Sequence, residues 1–151
     1  MLNQSQTRQL RQRGFSLIEI LVVLVIMGIL MSLVAPQVLN RVDEARIQKV
    51  HTDFKSIETA LNIYKLDNYM YPTTEQGLEA LVNKPDIDPI PKNWKEGGYL
   101  AELPKDPWDE TYKYVSPGDH GKFDIYTLGA DGVIGGEDQA ADIGNWEGDE
   151  E

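Results

Sequence analysis

Three carboxylates near the C-terminal end of the chain could do chemistry as hard oxygen ligands. Asp131, Asp138 and Asp142 lie in a glycine-rich stretch, residues 129–146. Glycine lets a backbone fold tightly round an ion, and carboxylate and carbonyl oxygens are the ligands that Ca²⁺ prefers. The spacing is not that of an EF-hand, because D-x-[DN]-x-[DN]-G does not occur. Two interpretations stay open from the residues alone, a calcium-binding loop and a solvated acidic loop.

The same carboxylates suggest a second chemistry, hydrolysis, with Asp131 and Asp138 as acid and base. The chain supplies no motif for a nucleophile, and it has no cysteine, which excludes disulfides, thiolate metal sites and a cysteine nucleophile. His51 and His120 are isolated from each other in the sequence and are predicted to be surface residues. These features leave a membrane-anchored hydrolase as a distant alternative.

Glu19 is the only charged residue between Phe15 and Leu39. An apolar helix of about 20 residues reaches about 30 Å and can cross a bilayer. A carboxylate inside such a helix costs about 2.5–3.5 kcal/mol, so we expect it to have a cationic partner. The alternative is that Glu19, near the beginning of the run, sits among lipid head groups.

The basic residues at the N-terminus predict the topology. Arg8, Arg11 and Arg13 precede Gly14 with no acidic residue among them, so the N-terminus should stay cytoplasmic and the rest should be exported. A possible cleavage point after Gly14 lies before the apolar run, the reverse of a secretory signal peptide. Cutting there would leave the membrane helix on the mature chain. The predicted segments are a leader over 1–14, a transmembrane or filament-core helix over 15–39 and an exported head over 40–151.

Apolar periodicity predicts the element that positions these residues. Apolar side chains recur every three or four residues at Val50, Phe54, Ile57, Leu61 and Tyr64. This spacing is typical of one buried helix face, and it predicts a single helix from position 15 to about position 67. A proline at position 36 should kink or loosen that helix.

The remaining elements are predicted from turn and strand signals. Thr73 and Gln76 form a capping-box pattern that should open a short helix ending near Val82. β-Forming residues over 112–116 and 123–128 predict an antiparallel hairpin with a long turn. Trp94 and Trp108 are predicted to pack in the core. The predicted fold class is α+β.

Net charge narrows the range of partners. The chain carries 14 Lys and Arg against 25 Asp and Glu, a net of −11. Such a surface repels nucleic acids and anionic head groups and attracts cations. The composition therefore argues against nucleic acid as a partner.

The N-terminal residues resemble a known export signal. The basic leader, Gly14, the sequence Phe15-Ser16-Leu17-Ile18-Glu19 and the apolar run that follows are similar to the class III signal of type IV pilins and pseudopilins. The resemblance implies that a membrane prepilin peptidase cuts after Gly14 and methylates the new amine of Phe15. It also implies that this amine is the cation for Glu19.

A second resemblance covers nearly the whole chain. The stretches 71–81, 98–100, 103–108, 114–118, 123–126, 128–132, 135–136 and 141–146 resemble the major pseudopilin family of type II secretion systems. It implies a type IV pilin-like fold, with a long N-terminal hydrophobic helix packed on a small head that carries a short antiparallel sheet and a calcium-binding loop. The ligands it implies are the side chains of Asp131, Asp138 and Asp142 and the main-chain oxygens of Leu128 and Val133.

The resemblance also implies a function without catalysis. The chain would be a single-pass inner-membrane protein with a periplasmic head, which polymerises into a pseudopilus that drives folded proteins across the outer membrane. Expected partners are further copies of the chain, minor pseudopilins, the prepilin peptidase/methyltransferase and the inner-membrane assembly platform with its cytoplasmic ATPase. A type IV pilus pilin is the alternative, disfavoured because such pilins commonly carry a C-terminal cysteine pair.

Overall fold

The computed structural model describes residues 15–148, and for residues 33–40 it describes the backbone alone. The predicted cleavage at Gly14 therefore lies outside the described residues. The chain divides into two compact units, with the boundary after Arg41. Each unit is described by itself.

One helix, α1, spans Leu17–Asn68. The predicted helix is thereby confirmed at both ends, and it continues through Pro36. In the first unit, the apolar side chains of residues 17–31 are 48–88% exposed. Among the described residues, no helix combines the length and the apolarity needed to cross a membrane.

The helix ends where the backbone turns left-handed. Tyr69 has φ 65° and its N–H bonds the Lys65 carbonyl at 2.8 Å, which satisfies an orphan carbonyl of the last turn. Asn68 adds a side-chain bond of 3.0 Å to the carbonyl of Tyr64. This cap fixes the end of α1 in the second unit.

The core of the second unit forms on the predicted face of α1. Val50, Phe54, Ile57, Leu61 and Tyr64 are all at most 3% exposed, so the periodicity prediction is confirmed. The other buried apolar residues of this core are Ala60, Leu78, Ala80, Leu81, Tyr112, Tyr114 and Ile125. Both predicted core tryptophans, at positions 94 and 108, are half-buried against it.

The capping box is present, but the helix it was expected to open is interrupted. The Thr73 N–H donates to Gln76 Oε1 at 3.1 Å, and the Gln76 N–H donates to Thr73 Oγ1 at 3.2 Å. Gly77 then takes φ 61°, ψ −169°, which no helix accepts, and only a short 3₁₀ helix follows over Leu78–Leu81. The prediction of one helix to Val82 was wrong in this respect.

The sheet has three antiparallel strands in the order β1-β2-β3. β1 is Lys113–Val115 and β2 is Asp124–Thr127, paired with Tyr114 opposite Ile125, so the predicted hairpin is confirmed with shorter strands. β3, Ile143–Gly144, pairs with the other edge of β2 and was not predicted. An added Cβ at Gly144 would lie 2.4 Å from the Trp146 ring, so glycine lets this ring pack closely on β3.

Candidate functional site

The acidic loop, residues 128–142, connects β2 to β3, and Thr127 and Ile143 at its two ends are partners in the sheet. Buried Thr127 anchors its start: Oγ1 accepts the Gly129 N–H at 3.3 Å and donates to buried Asp106 Oδ2 at 2.5 Å. Deeper in the loop, the Ala130 N–H donates to the Gln139 carbonyl at 2.8 Å. The sheet and these bonds hold the loop closed on itself.

Two glycines allow the loop backbone to approach itself closely. Gly129 has φ 64°, and a Cβ there would lie 2.8 Å from the carbonyl oxygens of Gln139 and Ala141. Gly136 has φ 105°, and a Cβ there would lie 2.3 Å from the Ala140 carbonyl oxygen. Side chains at these positions would be strained and would clash with backbone. Glycine therefore lets carbonyl oxygens crowd the interior of the loop.

The two carboxylate oxygens of Asp142 differ in their hydrogen bonding. Its Oδ2 accepts the Gly135 N–H at 2.9 Å, whereas its Oδ1 is buried and has no hydrogen-bond partner. Leaving a buried acceptor unpaired costs about 1–3 kcal/mol, and more if the group is charged. A bound cation would remove that cost, so Asp142 fits the role of a metal ligand.

Asp131 and Asp138 are both exposed. Asp131 Oδ1 accepts the Val133 N–H at 3.0 Å, and Asp138 begins a 3₁₀ helix, Asp138–Ala140, with φ 55°. Across residues 15–148, no group of three or more histidine, cysteine, aspartate or glutamate side chains is placed to hold a metal ion. Calcium binds six to eight oxygens, and many of these are main-chain carbonyls, which are not part of such a side-chain group. The predicted ligand set, which includes the carbonyls of Leu128 and Val133, therefore stays a prediction.

Gln139 joins the loop to α1 and was missed by the sequence analysis. Its Nε2 donates to Asp43 Oδ2 at 3.1 Å, and its Oε1 accepts from Arg46 at 3.1 Å. Arg46 also pairs with Asp43 at 3.2 Å, which closes a ring of three side chains. The pair on α1 could be read from its spacing, but nothing in the sequence indicates the glutamine that completes it.

His120 is exposed, as predicted, but it is not isolated. Its Nδ1 lies 3.0 Å from Asp124 Oδ2, and its ring stacks on Trp146 at 4.0 Å between centroids. Burial raises the pKa of Asp124, but the hydrogen bonds from His120 and from the Asp119 N–H outweigh burial and hold that pKa below its usual range. The contact ties the hairpin turn to the C-terminal segment.

This region also contains a cavity of about 590 Å³, lined by residues that include Glu58, His120 and Asp124. The two carboxylates considered as hydrolytic acid and base, Asp131 and Asp138, do not line it. The cavity therefore gives the hydrolase interpretation no support.

The two residues predicted to act in assembly lie at or just before the beginning of α1. Glu19 is exposed in the first turn, and its N–H donates to the Ser16 carbonyl at 3.0 Å. Phe15, the predicted first residue of the mature chain, is 79% exposed. The structure thus leaves both side chains of the predicted pair accessible to other molecules.

Two family models match the chain. The model "Type II secretion system (T2SS), protein G" matches residues 37–146, and the "Prokaryotic N-terminal methylation motif" matches residues 9–35. The chain is 58% identical over 142 residues to a type II secretion system core protein G of Pseudomonas aeruginosa, covering 94% of this chain and 99% of that protein. It is 57% identical over 136 residues to the protein of the same description in Vibrio cholerae, covering 90% of this chain and 92% of that protein.

A solved structure is similar as well. The crystal structure of the major pseudopilin from the type 2 secretion system of enterohaemorrhagic Escherichia coli superposes with a TM-score of 0.66 at 47% identity. The match covers 72% of this chain and 93% of that chain.

Proposed function

This chain belongs to the type II secretion system protein G family, and from that membership we infer that it is the major pseudopilin, the structural subunit of a type II secretion pseudopilus. The observation that carries the inference is the 58% identity that extends over 94% of the chain. The predicted resemblance and the pilin-like fold are confirmed. We propose that the subunits polymerise into a periplasmic fibre that drives folded proteins across the outer membrane.

The first unit supports polymerisation through its exposed apolar surface. The apolar side chains from Leu17 to Met31 are 48–88% exposed, and apolar surface in water costs about 25 cal/mol per Å². Lipid would cover this surface before assembly, in a single-pass inner-membrane protein, and neighbouring helices would cover it in the fibre. In that apolar surrounding Glu19 needs a cation, and the methylated amine of Phe15 is the one we propose.

We propose that the acidic loop binds Ca²⁺ through side chains of Asp131, Asp138 and Asp142 and main-chain oxygens of Leu128 and Val133. The support is the buried, unpartnered Oδ1 of Asp142 and the backbone packing that glycine allows. Calcium would supply a positive charge that holds mutually repelling carboxylates together. The chain would contribute a loop already closed by the pairing of β2 with β3.

The proposed partners follow from the assembly route. A prepilin peptidase/methyltransferase would process the leader, and the assembly platform with its cytoplasmic ATPase would extract subunits from the inner membrane. Minor pseudopilins would share the fibre with many copies of this chain. The methylation-motif match over residues 9–35 supports the first of these partners.

The test is the state of the mature N-terminus and of the fibre. The full chain is expressed with its secretion machinery, and the N-terminal mass, the sheared fibre fraction and secreted proteins are measured. We expect N-methylated Phe15 and fibres from the wild type. Gly14→Val should retain the leader, because a peptidase site that passes the backbone closely excludes a β-branched side chain.

Gly28→Val is the matched control, since a Cβ at Gly28 meets nothing within 4 Å. This variant should be cleaved and methylated like the wild type. Methylated Phe15 in the Gly14→Val chain would remove the proposed role of Gly14. An unprocessed wild type that forms no fibres and exports nothing would contradict the proposed function.

A further inference from the structure

An apolar groove with a basic edge lies at the C-terminal end of α1. Leu66 is 75% exposed and Tyr69 is 84% exposed, and the groove between them has a volume of about 490 Å³. Lys65 and Lys122 line it, and the Lys65 ammonium lies 4.6 Å from the centre of the Tyr71 ring. In a chain of net charge −11, two lysines beside exposed apolar side chains form a distinctive surface.

A second exposed apolar surface lies in the acidic loop. Val133 is 62% exposed and Ile134 is 83% exposed. We call these two residues the loop tip. The carboxylates of Asp131 and Glu137 flank it and are exposed too. The loop tip thus has the apolar character of the groove and the opposite charge.

The two surfaces lie at opposite ends of the second unit. Gln139 holds the loop against Asp43 and Arg46, near the N-terminal end of this unit. The bond from the Gly135 N–H to Asp142 keeps the adjoining loop tip close to the same end. At 1.5 Å per residue, about 35 Å of helix separates Asp43 from Leu66. The loop tip therefore cannot reach the groove of its own chain.

We infer that the loop tip of one copy docks into the groove of the next copy. Val133 and Ile134 would cover the apolar wall formed by Leu66 and Tyr69, and the Glu137 carboxylate, which lies outside the proposed calcium ligand set, would face the two groove lysines. A contact between different surfaces at opposite ends of a unit does not close on itself, so it repeats along a fibre. The inference rests on the proposed polymerisation and names a contact that would carry it.

Disulfide cross-linking tests the contact directly, because the chain contains no cysteine. The full chain with Leu66→Cys and Ile134→Cys is expressed with its secretion machinery, and sheared fibres are mildly oxidised. A disulfide needs Cα atoms within about 7 Å, so any bond between these positions must join two copies. We expect a ladder of covalent multimers, whereas each single-cysteine variant should give at most dimers.

Thr59→Cys combined with Ile134→Cys is the matched control. Thr59 is exposed on α1, two turns before Leu66 and close to the same face. At about 10 Å from Leu66 along the helix, a cysteine at position 59 should form no ladder. As a second measurement, Lys122→Glu should lower fibre yield about five-fold, and Glu137→Lys in the same chain should restore it.

The outcomes separate this contact from the function itself. Fibres of the double-cysteine chain that yield no ladder, together with no rescue by Glu137→Lys, overturn the contact and leave the pseudopilin function intact. If the double-cysteine chain forms no fibres, the two single-cysteine chains are co-expressed. A mixed dimer then supports the contact, and its absence overturns it. A wild type that forms no fibres under the same conditions contradicts the proposed function.

Discussion

Replacing one atom of Asp142 tests whether the acidic loop is a calcium site. Asp142→Asn keeps the shape of the side chain, and its remaining oxygen can still accept the Gly135 N–H. The amide nitrogen would take the place of Oδ1, the buried oxygen without a partner. An amide nitrogen cannot ligate a cation, so we expect the variant to lose calcium binding while keeping the fold of the loop.

The size of the effect follows from mass action. Calcium sites of extracellular modules have Kd values of about 10⁻⁴–10⁻³ M, so 1 mM calcium should stabilise the wild-type head by about 0.4–1.4 kcal/mol. For a head of roughly 100 residues this corresponds to a rise in Tm of about 2–7 °C. In chelator, Asp142→Asn should be at least as stable as the wild type, because it removes a buried carboxylate oxygen that has no hydrogen-bond partner.

The assay is thermal melting of the full chain in detergent, followed by near-ultraviolet circular dichroism. All tryptophans lie beyond residue 41, so the signal reports the head. Melting is compared in calcium, in magnesium, which prefers a smaller octahedral site, and in chelator. Asp86→Asn, a change at an exposed loop aspartate, should keep the full calcium shift. Equal wild-type Tm values in calcium and chelator, with no calcium found by elemental analysis, would refute the reasoning.

Gly136→Ala should destabilise the head by about 3 kcal/mol or more in urea unfolding, because the new Cβ would clash with backbone at a residue of positive φ. Gly132→Ala should cost only about 1 kcal/mol, because Gly132 has φ 66° but no atom lies within 4 Å of the added Cβ. Equal losses would contradict this account. Asp124 has a depressed pKa, so its contribution is present above about pH 4 and is lost as pH falls through the folded pKa. Urea midpoints between pH 2.5 and 6 should fall less steeply for Asp124→Asn than for the wild type, and parallel curves would contradict the role of the His120 contact. Glu19→Val should be cleaved and inserted normally but should form few fibres, as counted after shearing; wild-type fibre abundance would count against the proposed pairing.

Local signals explain which parts of the fold were predictable. The buried face of α1, from Val50 to Tyr64, follows from a 3.6-residue period that any amphipathic helix must show. The capping box of Thr73 and Gln76 depends on two side chains only three residues apart. Gly77 interrupts the helix expected after that box, because its backbone adopts a positive φ. The residue pattern did not predict this conformation.

The sequence by itself determined the family, the long helix, the hairpin and the acidic residues of the loop. Each of these depends on the types and spacing of residues that are close together in the chain, or on a motif. Only the tertiary structure decided that β3 pairs with β2, that Gln139 bonds Asp43 and Arg46, and that one oxygen of Asp142 is buried without a partner. Each of these features depends on the spatial approach of segments that are distant along the chain, and residue spacing carries no information about such an approach. The opposed placement of loop tip and groove has the same origin, since it depends on which end of α1 the loop docks against.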